Sequence, residues 1–593
     1  MSISRRRCTR ASAFAREVFI EGLARFDRLR ELSTSTIKMR KRSKGHFSLL
    51  VAVVLLLVAS QSQAQHTHES LGTVSFPVSC SQPAQAEFNH AVALLHHMTY
   101  PQARAAFQHV AVIDPKCAMA HWGVAMTLFQ PLWPTRPSPV ALQLGWDEVQ
   151  QARKLKLLPR EQIFVDAAEA FFLDPSSTDY WMRIRRWEEA MEKVYAAFPN
   201  DSEAAAFYAL AHLATTPSDR VTRANADRAA GILLRIFKKN PNHPGAMHYL
   251  VHANDVPGRE RELLEITRKY EMVAPHNPHA IHMPTHIYIR LGDWNGVIRG
   301  NLRAATVALD YPAGDHGEFV WDEFPHAIEY LVYAYLQKGE DRLALRQINR
   351  LQGTKRLEPS FKTAFNLIST RARYALERRA WTEAAMIPPR EPVTLDWDRF
   401  TWAEGIARFA RGLGAAHLGR VNDAKVELDK LAELENRTRK SGEVLFARNL
   451  QMLRLELDAW INQTDGKREA AIALMRQAAD LEVSTPKHAV TPGPTLPAAE
   501  LLGDLLMEQR RPREALAAYK RSLELYPRRF NSLLGAVQAA RAAGQYSEAR
   551  VHHRELLRIA PHTARRLAAK PLARSEVFTV VTQQAAMACA PDL

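Results

Sequence analysis

A unit of 34 residues that recurs along the chain is the feature that most limits how this chain can fold. The stretch 496–527, LPAAELLGDLLMEQRRPREALAAYKRSLELYP, contains two amphipathic helical patterns separated by a short turn. A shift of 34 residues places Ala515 on Ala549 and Pro527 on Pro561. A fixed repeat of this size predicts helical units that stack and bury their apolar faces against their neighbours.

Each unit resembles the tetratricopeptide repeat, a helix–turn–helix motif. Small residues on the first helix let the second helix approach closely, and the closing proline ends the second helix because it cannot extend it. The same phase recurs in units that start near 84 and at 244, 278, 325 and 405. Strand patterns are nearly absent. We therefore predict an all-α fold, a tetratricopeptide-repeat superhelical solenoid of roughly ten helical hairpins.

The regularity of the repeat changes along the chain, which at 593 residues is too long for a single compact core. Residues 80–350 are predicted to form an N-terminal repeat array with a histidine-rich groove. Residues 351–487 contain degenerate helical repeats, and residues 496–565 form a C-terminal repeat pair. The Pro-rich stretch 488–497 is predicted to be a linker before that pair.

The N-terminus predicts export. Residues 39–64 have a basic start, an apolar run from Leu49 to Ala59 and small residues before a cleavage point after Ala64, which is the layout of a signal peptide. The apolar run is shorter than the roughly 20 residues that a membrane span needs. We predict a periplasmic or secreted protein with no stable membrane span after cleavage; an uncleaved anchor is the alternative. Residues 1–38 are predicted to be a non-native or disordered extension.

The charge distribution gives little support for nucleic-acid binding. The net charge is +16, but residues 1–64 hold 13 Lys/Arg and 4 Asp/Glu, a local +9, which leaves 16 − 9 = +7 on the rest. Both signs are interspersed there, without a basic stripe that alternates with aromatic residues.

Two cysteines of the exported part are placed to form a disulfide. Cys80 precedes the first predicted helix and Cys117 opens the third, so a bridge between them would join neighbouring helical hairpins. Cys589 would then remain unpaired near the C-terminus. Three free thiols are the equal alternative on sequence grounds.

The stretch HNPHAIHMPTHIYIR at 276–290 is rich in histidine. In the repeat phase, His248 and His252 take positions 5 and 9 of one unit, and His282 and His286 take the same positions of the next. A spacing of four residues places both rings of a pair on one helix face. Four imidazoles from adjacent units are therefore predicted to meet and to be able to enclose a transition metal such as zinc, copper or iron.

Further polar residues occupy the groove-facing positions of the same three units: His279, His326, Glu329, Tyr333 and Asp255. They are predicted to line the concave groove as additional ligands or as partners of the ligands. The insertion at 314–324 is interpreted either as a lid over this patch or as an ordinary surface loop. Two alternatives to a metal remain open: an organic or peptide ligand, and a hydrogen-bonded network that only stabilises the groove.

No sequence motif assigns a reaction. Tyr249 follows His248 and Met283 follows His282, whereas the zinc-protease motif needs a glutamate directly after its first histidine. The sequence has no phosphate-binding loop, no nucleophile elbow and no CxxCH haem motif. The sequence therefore favours a protein that is not an enzyme, without excluding one.

The segments FNHAVALLHHMTYPQARAAFQHVAVIDPKCAMAHWGVAM (88–126), HPGAMHYLVHAND (243–255) and PHAIHMPTHIYIRLGDW (278–294) resemble a group of exported bacterial tetratricopeptide-repeat proteins. The resemblance covers most of residues 80–350 and implies the fold, but no activity or catalytic residue. We expect a scaffold that binds a protein or peptide partner in its concave groove; the alternative is a metal-binding protein, conceivably an enzyme, built on His248, His252, His282 and His286.

Overall fold

The computed structural model describes residues 70–133, 136–177, 179–215, 222–314 and 316–562, apart from the side chains of residues 222 and 223. The predicted extension 1–38 and the predicted signal peptide 39–64 lie outside these residues, as does Cys589. The described residues, from Ser70 onward, belong to one compact unit. No helix among them has the length and apolar character needed to cross a lipid bilayer.

The described chain is almost entirely helical. The helices of the first half are α1 Gln82–His96, α2 Tyr100–Ile113, α3 Ala118–Met126, α4 Pro139–Lys154, α5 Pro159–Phe172, α6 Tyr180–Ala197, α7 Ser202–Thr215, α8 Thr222–Lys239, α9 Pro244–Asn254, α10 Leu264–Val273, α11 Pro278–His282, α12 Pro284–Leu291 and α13 Trp294–Val307. Those of the second half are α14 Glu323–Gln337, α15 Asp341–Gly353, α16 Phe361–Glu377, α17 Trp381–Ala385, α18 Thr401–His417, α19 Val421–Lys440, α20 Val444–Thr464, α21 Arg468–Val483, α22 Ala498–Glu508, α23 Pro512–Leu525, α24 Phe530–Ala542 and α25 Tyr546–Ile559.

Within the described residues, regular structure of other kinds is limited to short pieces between these helices. A two-stranded antiparallel ribbon pairs β1 (Pro312–Ala313) with β2 (Phe319–Val320). Single turns of 3₁₀-helix span Ala308–Asp310 and Trp397–Arg399. Strand β2 lies within the insertion at 314–324 that precedes α14, and β1 directly precedes that insertion.

The helices pack in the manner of a helical-hairpin solenoid. Consecutive helices pack on each other, as in α1 with α2, α18 with α19 and α24 with α25. The first helices of successive hairpins also contact one another, as in α14 with α16, α16 with α18 and α18 with α20. This second set of contacts stacks the hairpins into an array. The prediction of an all-α tetratricopeptide-repeat solenoid is confirmed.

Glycine residues follow the first helix in two of the repeat units. Gly292 follows α12 with φ of 64°, in the left-handed region that glycine adopts without a steric penalty. Gly258 also has a positive φ, of 91°, but the next helix begins only at Leu264. The second helix of that unit therefore starts later than the repeat predicts.

Helix α11 stops after five residues, where the repeat predicts one continuous helix from 278. Pro284 starts α12 and has no backbone N–H to continue the hydrogen-bond ladder of α11. The break falls at Met283, between His282 and His286, so these two rings are carried by separate short helices.

The C-terminal hairpin packs against the middle of the chain. The indole Nε1 of Trp294 donates a hydrogen bond to the carbonyl oxygen of Arg528 over 3.0 Å. Leu533 and Leu556 share an apolar cluster with Val297 of α13 and Tyr330 of α14. Cys80 and Cys117 form a disulfide that joins the segment before α1 to the start of α3.

Close helix packing gives a test of the fold. A Cβ atom added to Gly535 of α24 would lie 2.4 Å from the ring of Tyr519, whereas one added to Gly231 of α8 would have no neighbour within 4 Å. We expect Gly535→Ala to destabilise the protein by about 1–3 kcal/mol through overpacking. Gly231→Ala should instead be stabilising by about 0.5–1 kcal/mol, because alanine is the better helix former. Urea unfolding followed by circular dichroism measures both; equal effects would contradict the packing described.

Candidate metal centre

Six histidines from four helices of the array come together. Helix α9 contributes His248 and His252, the pair α11–α12 contributes His279, His282 and His286, and α14 contributes His326. Five of the six are buried, each no more than 2% exposed, and His252 is half-buried. His276, the first histidine of the HNPHAIHMPTHIYIR stretch, is exposed and takes no part.

The first of two groups, which we call group 1, consists of His248, His252 and His279. The Nε2 atom of His248 lies 3.2 Å from Nε2 of His252 and 3.1 Å from Nε2 of His279. One ring nitrogen from each residue lies within 4.8 Å of those of the other two. Three imidazole nitrogens therefore lie close together between α9 and α11.

Group 2 consists of His282, His286 and His326, with their ligand nitrogens again within 4.8 Å of one another. Nε2 of His282 lies 3.1 Å from Nε2 of His286. Among the described residues, neither nitrogen of the buried His326 ring has a hydrogen-bond partner, although the ring centroid lies 4.5 Å from that of His282. A buried imidazole without a partner is costly unless something else occupies its lone pair.

Hydrogen bonds at Nδ1 fix which nitrogen of three rings carries the proton. His248 Nδ1 lies 2.6 Å from the backbone oxygen of His96, which can only accept. His286 Nδ1 lies 2.9 Å from a carboxylate oxygen of Asp255. His282 Nδ1 lies 2.7 Å from Oδ1 of Asn301, whose amide group is oriented by its own donation to the Val297 carbonyl. In each neutral ring, Nε2 therefore carries an unshared lone pair.

Burial disfavours the protonated form of five of the six rings and so lowers their pKa values. Burial lowers the pKa of His282 to about 3, and the neighbouring His286 lowers it further. Burial lowers the pKa of His286 to about 4, and the charge of Lys487 adds to this shift. Burial also places the pKa of His248, His252 and His326 well below the usual value, and neighbouring histidines add to the shift. Protonation is thus disfavoured at the points where the lone pairs face each other.

The spacing of the facing nitrogens suits a shared metal ion. Zinc–imidazole bonds are about 2.0–2.1 Å long, so two ligands at an angle of about 90–110° have nitrogens about 2.9–3.4 Å apart. The three Nε2–Nε2 distances of 3.1–3.2 Å fall in this range. The hydrogen bonds at Nδ1 also match the outer partners that normally orient metal-binding histidines.

Groups 1 and 2 are neighbours. The ring of His279 in group 1 lies with its centroid 6.2 Å from that of His282 in group 2, and His252 lies 6.0 Å from His286. Ring centroids within a group are 4.5–5.0 Å apart for the closest pairs. Because the His286 and His326 centroids within group 2 are themselves 6.5 Å apart, the two ligand sets adjoin each other.

Two of the polar residues predicted to line the groove lie outside the centre. Glu329 accepts hydrogen bonds from Ser369 and from Arg373 Nε, the latter over 3.1 Å, and burial raises its pKa. Tyr333 accepts a hydrogen bond from Arg529 Nη1 over 3.1 Å. Asp255 is placed as a partner of a ligand rather than as a ligand.

Of the positions predicted to line the concave groove, His279, His326, Glu329 and Tyr333 are buried and Asp255 is half-buried. Trp133 lies with its ring centroid 5.1 Å from that of His279. On the other side, the 487–495 segment covers the helices: Lys487 pairs with Asp255 over 2.7 Å, and Tyr330 donates to the Thr491 carbonyl over 3.3 Å. Irregular segments between the repeats fill the space that the regular repeat would leave open.

Two charged residues near group 1 were not predicted as partners of the histidines. Glu323 Oε1, at the start of α14, lies 3.2 Å from His279 Nδ1, and Lys362 Nζ contacts the second oxygen of that carboxylate over 3.0 Å. Burial opposes ionisation, but Lys362 and His279 hold the pKa of Glu323 well below its usual value. Glu323 lies at the C-terminal end of the insertion at 314–324, so this end of the insertion reaches the centre. His316, near the start of the insertion, is exposed.

His96, Glu203 and His243 form a third cluster, whose ligand atoms also lie within 4.8 Å of one another. His96 Nε2 lies 2.8 Å from one Glu203 oxygen, and its Nδ1 accepts from the Tyr249 hydroxyl over 2.9 Å. His243 Nδ1 accepts from the backbone N–H of Ala246, and its Nε2 lies 3.2 Å from the other Glu203 oxygen. In this cluster a carboxylate faces one nitrogen of each ring, whereas in groups 1 and 2 ring nitrogens face each other.

Comparisons with known proteins add no family. No protein-family model matches the chain, and no curated protein sequence matches it. Among solved structures, human IFIT1 dimer with m7Gppp-AAAA gives a TM-score of 0.35 at 14% identity over 84% of this chain and 92% of that one. The APC/C hetero-tetramer Cut9-Hcn1 gives a TM-score of 0.28 at 12% identity over 85% and 90%. Likenesses this weak carry no argument about function.

The buried state of His326 predicts a pH dependence. Because its folded-state pKa lies well below the unfolded value near 6.5, only the unfolded chain gains a proton there as the pH falls below that value. The free energy of unfolding of metal-free protein should therefore decrease on acidification from about pH 7 to about pH 5. His326→Gln should reduce this slope by up to about 1.4 kcal/mol per pH unit. Urea unfolding at several pH values measures it, with exposed His276→Gln as the control that should leave the slope unchanged.

Proposed function

We propose that this protein binds transition-metal ions in a buried histidine centre formed by groups 1 and 2. The observation that carries the proposal is the contact between His282 and His286. Both rings donate through Nδ1, to Asn301 and Asp255, so their Nε2 lone pairs face each other at 3.1 Å. Two lone pairs at that distance repel unless a cation lies between them, and the low pKa values of both rings disfavour a proton.

Three features support this function over a groove-binding scaffold. The ligand residues are buried and held by fixed outer partners, as metal ligands are. The same positions would have to be exposed to contact a protein or peptide partner. In the cluster of His96, Glu203 and His243, a carboxylate lies between the two rings. Groups 1 and 2 differ from it because their ring nitrogens face each other.

The proposed site of action is outside the cytoplasm, in the periplasm or the medium. The signal-peptide pattern at residues 39–64 supports this location. The disulfide between Cys80 and Cys117 also supports it, because disulfides persist in oxidising compartments. We assign no reaction. Bound there, a transition metal would supply Lewis acidity or electron transfer, while the chain's own residues orient the imidazoles and exclude water.

Metal analysis of the purified protein tests the proposal. Protein exported into the periplasm of a bacterial host should contain at least one transition-metal ion per chain after dialysis. The double variant His248→Ala/His282→Ala should lose it, because one ligand is removed from each group and each Nε2 is central to its group. His276→Ala, which removes an exposed histidine, should retain the ion. Equal metal content in the double variant and the control would refute the site.

The outer hydrogen bonds give a second test. Asn301→Leu should weaken metal affinity by about 10–100-fold, because His282 loses the acceptor that fixes its ring and tautomer. Asn449→Leu is a matched control, because Asn449 also donates to the carbonyl four residues earlier. Competition with a chromogenic chelator measures affinity in both variants. The positioning role fails if the two substitutions have the same effect on affinity.

A further inference from the structure

The identity and the number of the ions that groups 1 and 2 bind can be inferred from their surroundings. This inference rests on the proposed function. Each group offers three imidazole nitrogens, and no carboxylate or thiolate belongs to either set among the described residues. All ligands are thus neutral, and an ion would keep its full charge. Imidazole ligands suit zinc, copper, iron and nickel.

The surrounding charges do not compensate for the ions. The carboxylates around groups 1 and 2 are matched by cations in direct ion pairs: Asp255 with Arg290 and Lys487, and Asp322 and Glu323 with Lys362. The sum is −3 + 3 = 0 for these six side chains. The ions would therefore enter a buried, electrically neutral environment.

Burial of charge in such an environment favours ions of low charge. The cost of transferring an ion from water into a medium of low dielectric constant rises with the square of its charge, and so does the repulsion between two equal ions. Two doubly charged ions in adjacent groups would repel four times as strongly as two singly charged ones. Groups 1 and 2 lie close together, with His279 and His282 ring centroids 6.2 Å apart, so this repulsion is not negligible.

Copper is the metal that combines a stable singly charged state with imidazole binding. We propose that groups 1 and 2 fill together with Cu(I), forming a centre of two copper ions held by six neutral imidazoles. Divalent zinc should fill only one group, because a second Zn²⁺ would face both the burial cost and the repulsion. Adjacent histidine groups, neutral ligands and paired surrounding charges are the observations behind this inference.

Stoichiometry tests the inference in the full chain. Cys8→Ser and Cys589→Ser should form the background of all variants, so that free thiols do not bind Cu(I). Ascorbate under anaerobic conditions keeps copper reduced, and a chromogenic chelator sets the free concentration. We expect two Cu(I) per chain but one Zn(II). His252→Ala/His279→Ala and His286→Ala/His326→Ala should each bind one Cu(I), while His276→Ala should bind two.

The outcomes separate this inference from the proposed function. One Cu(I) per chain, or two Zn(II) per chain held as tightly as Cu(I), would overturn the inference while leaving a metal-binding protein. Absence of any bound transition metal would overturn both. Two Cu(I) that remain bound in all the histidine variants would also overturn it, because the ions would then lie elsewhere.

A charge variant probes the electrostatic reason directly. Lys362→Met removes one positive charge next to Glu323 and so makes the surroundings more negative by one unit. Because the interaction energy is proportional to the charge of the ion, the fold increase in Zn(II) affinity should be about the square of that for Cu(I). Lys338→Met, near the surface, is the control and should change neither affinity. Equal increases for the two ions would contradict the argument.

Discussion

The interaction on which the proposed centre depends is the approach of two imidazole lone pairs to 3.1 Å, at His282 and His286. The Nδ1 atom of each ring donates a hydrogen bond to an oxygen that can only accept. Transfer of the proton to Nε2 would therefore break a buried hydrogen bond. The repulsion is thus built into the arrangement of the helices. A cation that binds there converts a strained contact into a favourable one, and metal binding should stabilise the fold accordingly.

The solenoid supplies this geometry through its repeat. Helices α9 and α11–α12 are corresponding helices of successive units, so equivalent positions lie side by side. Pro284 breaks the second of them between His282 and His286. The hairpin at the start of the array also contributes, because the carbonyl oxygen of His96, the last residue of α1, accepts the Nδ1 proton of His248. Ligand orientation therefore depends on contacts between hairpins far apart in sequence.

The interior of the centre is closed by segments that do not follow the repeat. Trp133, from the segment that follows α3, contacts the His279 ring. The Nζ atom of Lys362 lies 4.1 Å from the Trp133 ring centroid. Lys487, directly before the stretch predicted to be a linker, contacts Asp255, and Thr491, within that stretch, contacts Tyr330. These segments exclude solvent and neutralise the carboxylates. The same burial that depresses the histidine pKa values thus comes from the least regular parts of the chain.

Of the four histidines that were predicted to form one ligand set, the structure places His248 and His252 in group 1 and His282 and His286 in group 2. The sequence by itself determined the helical-hairpin repeat, because a fixed period forces equivalent residues onto equivalent faces. It could not reveal Asn301, Lys362 or Lys487 as partners, since none occupies a repeated position that signals contact with the histidines. Only the tertiary structure decided that the histidine positions are buried rather than exposed in a groove. The physical reason is that the covering segments lie outside the repeat, and where an irregular segment packs depends on long-range contacts that no local pattern encodes.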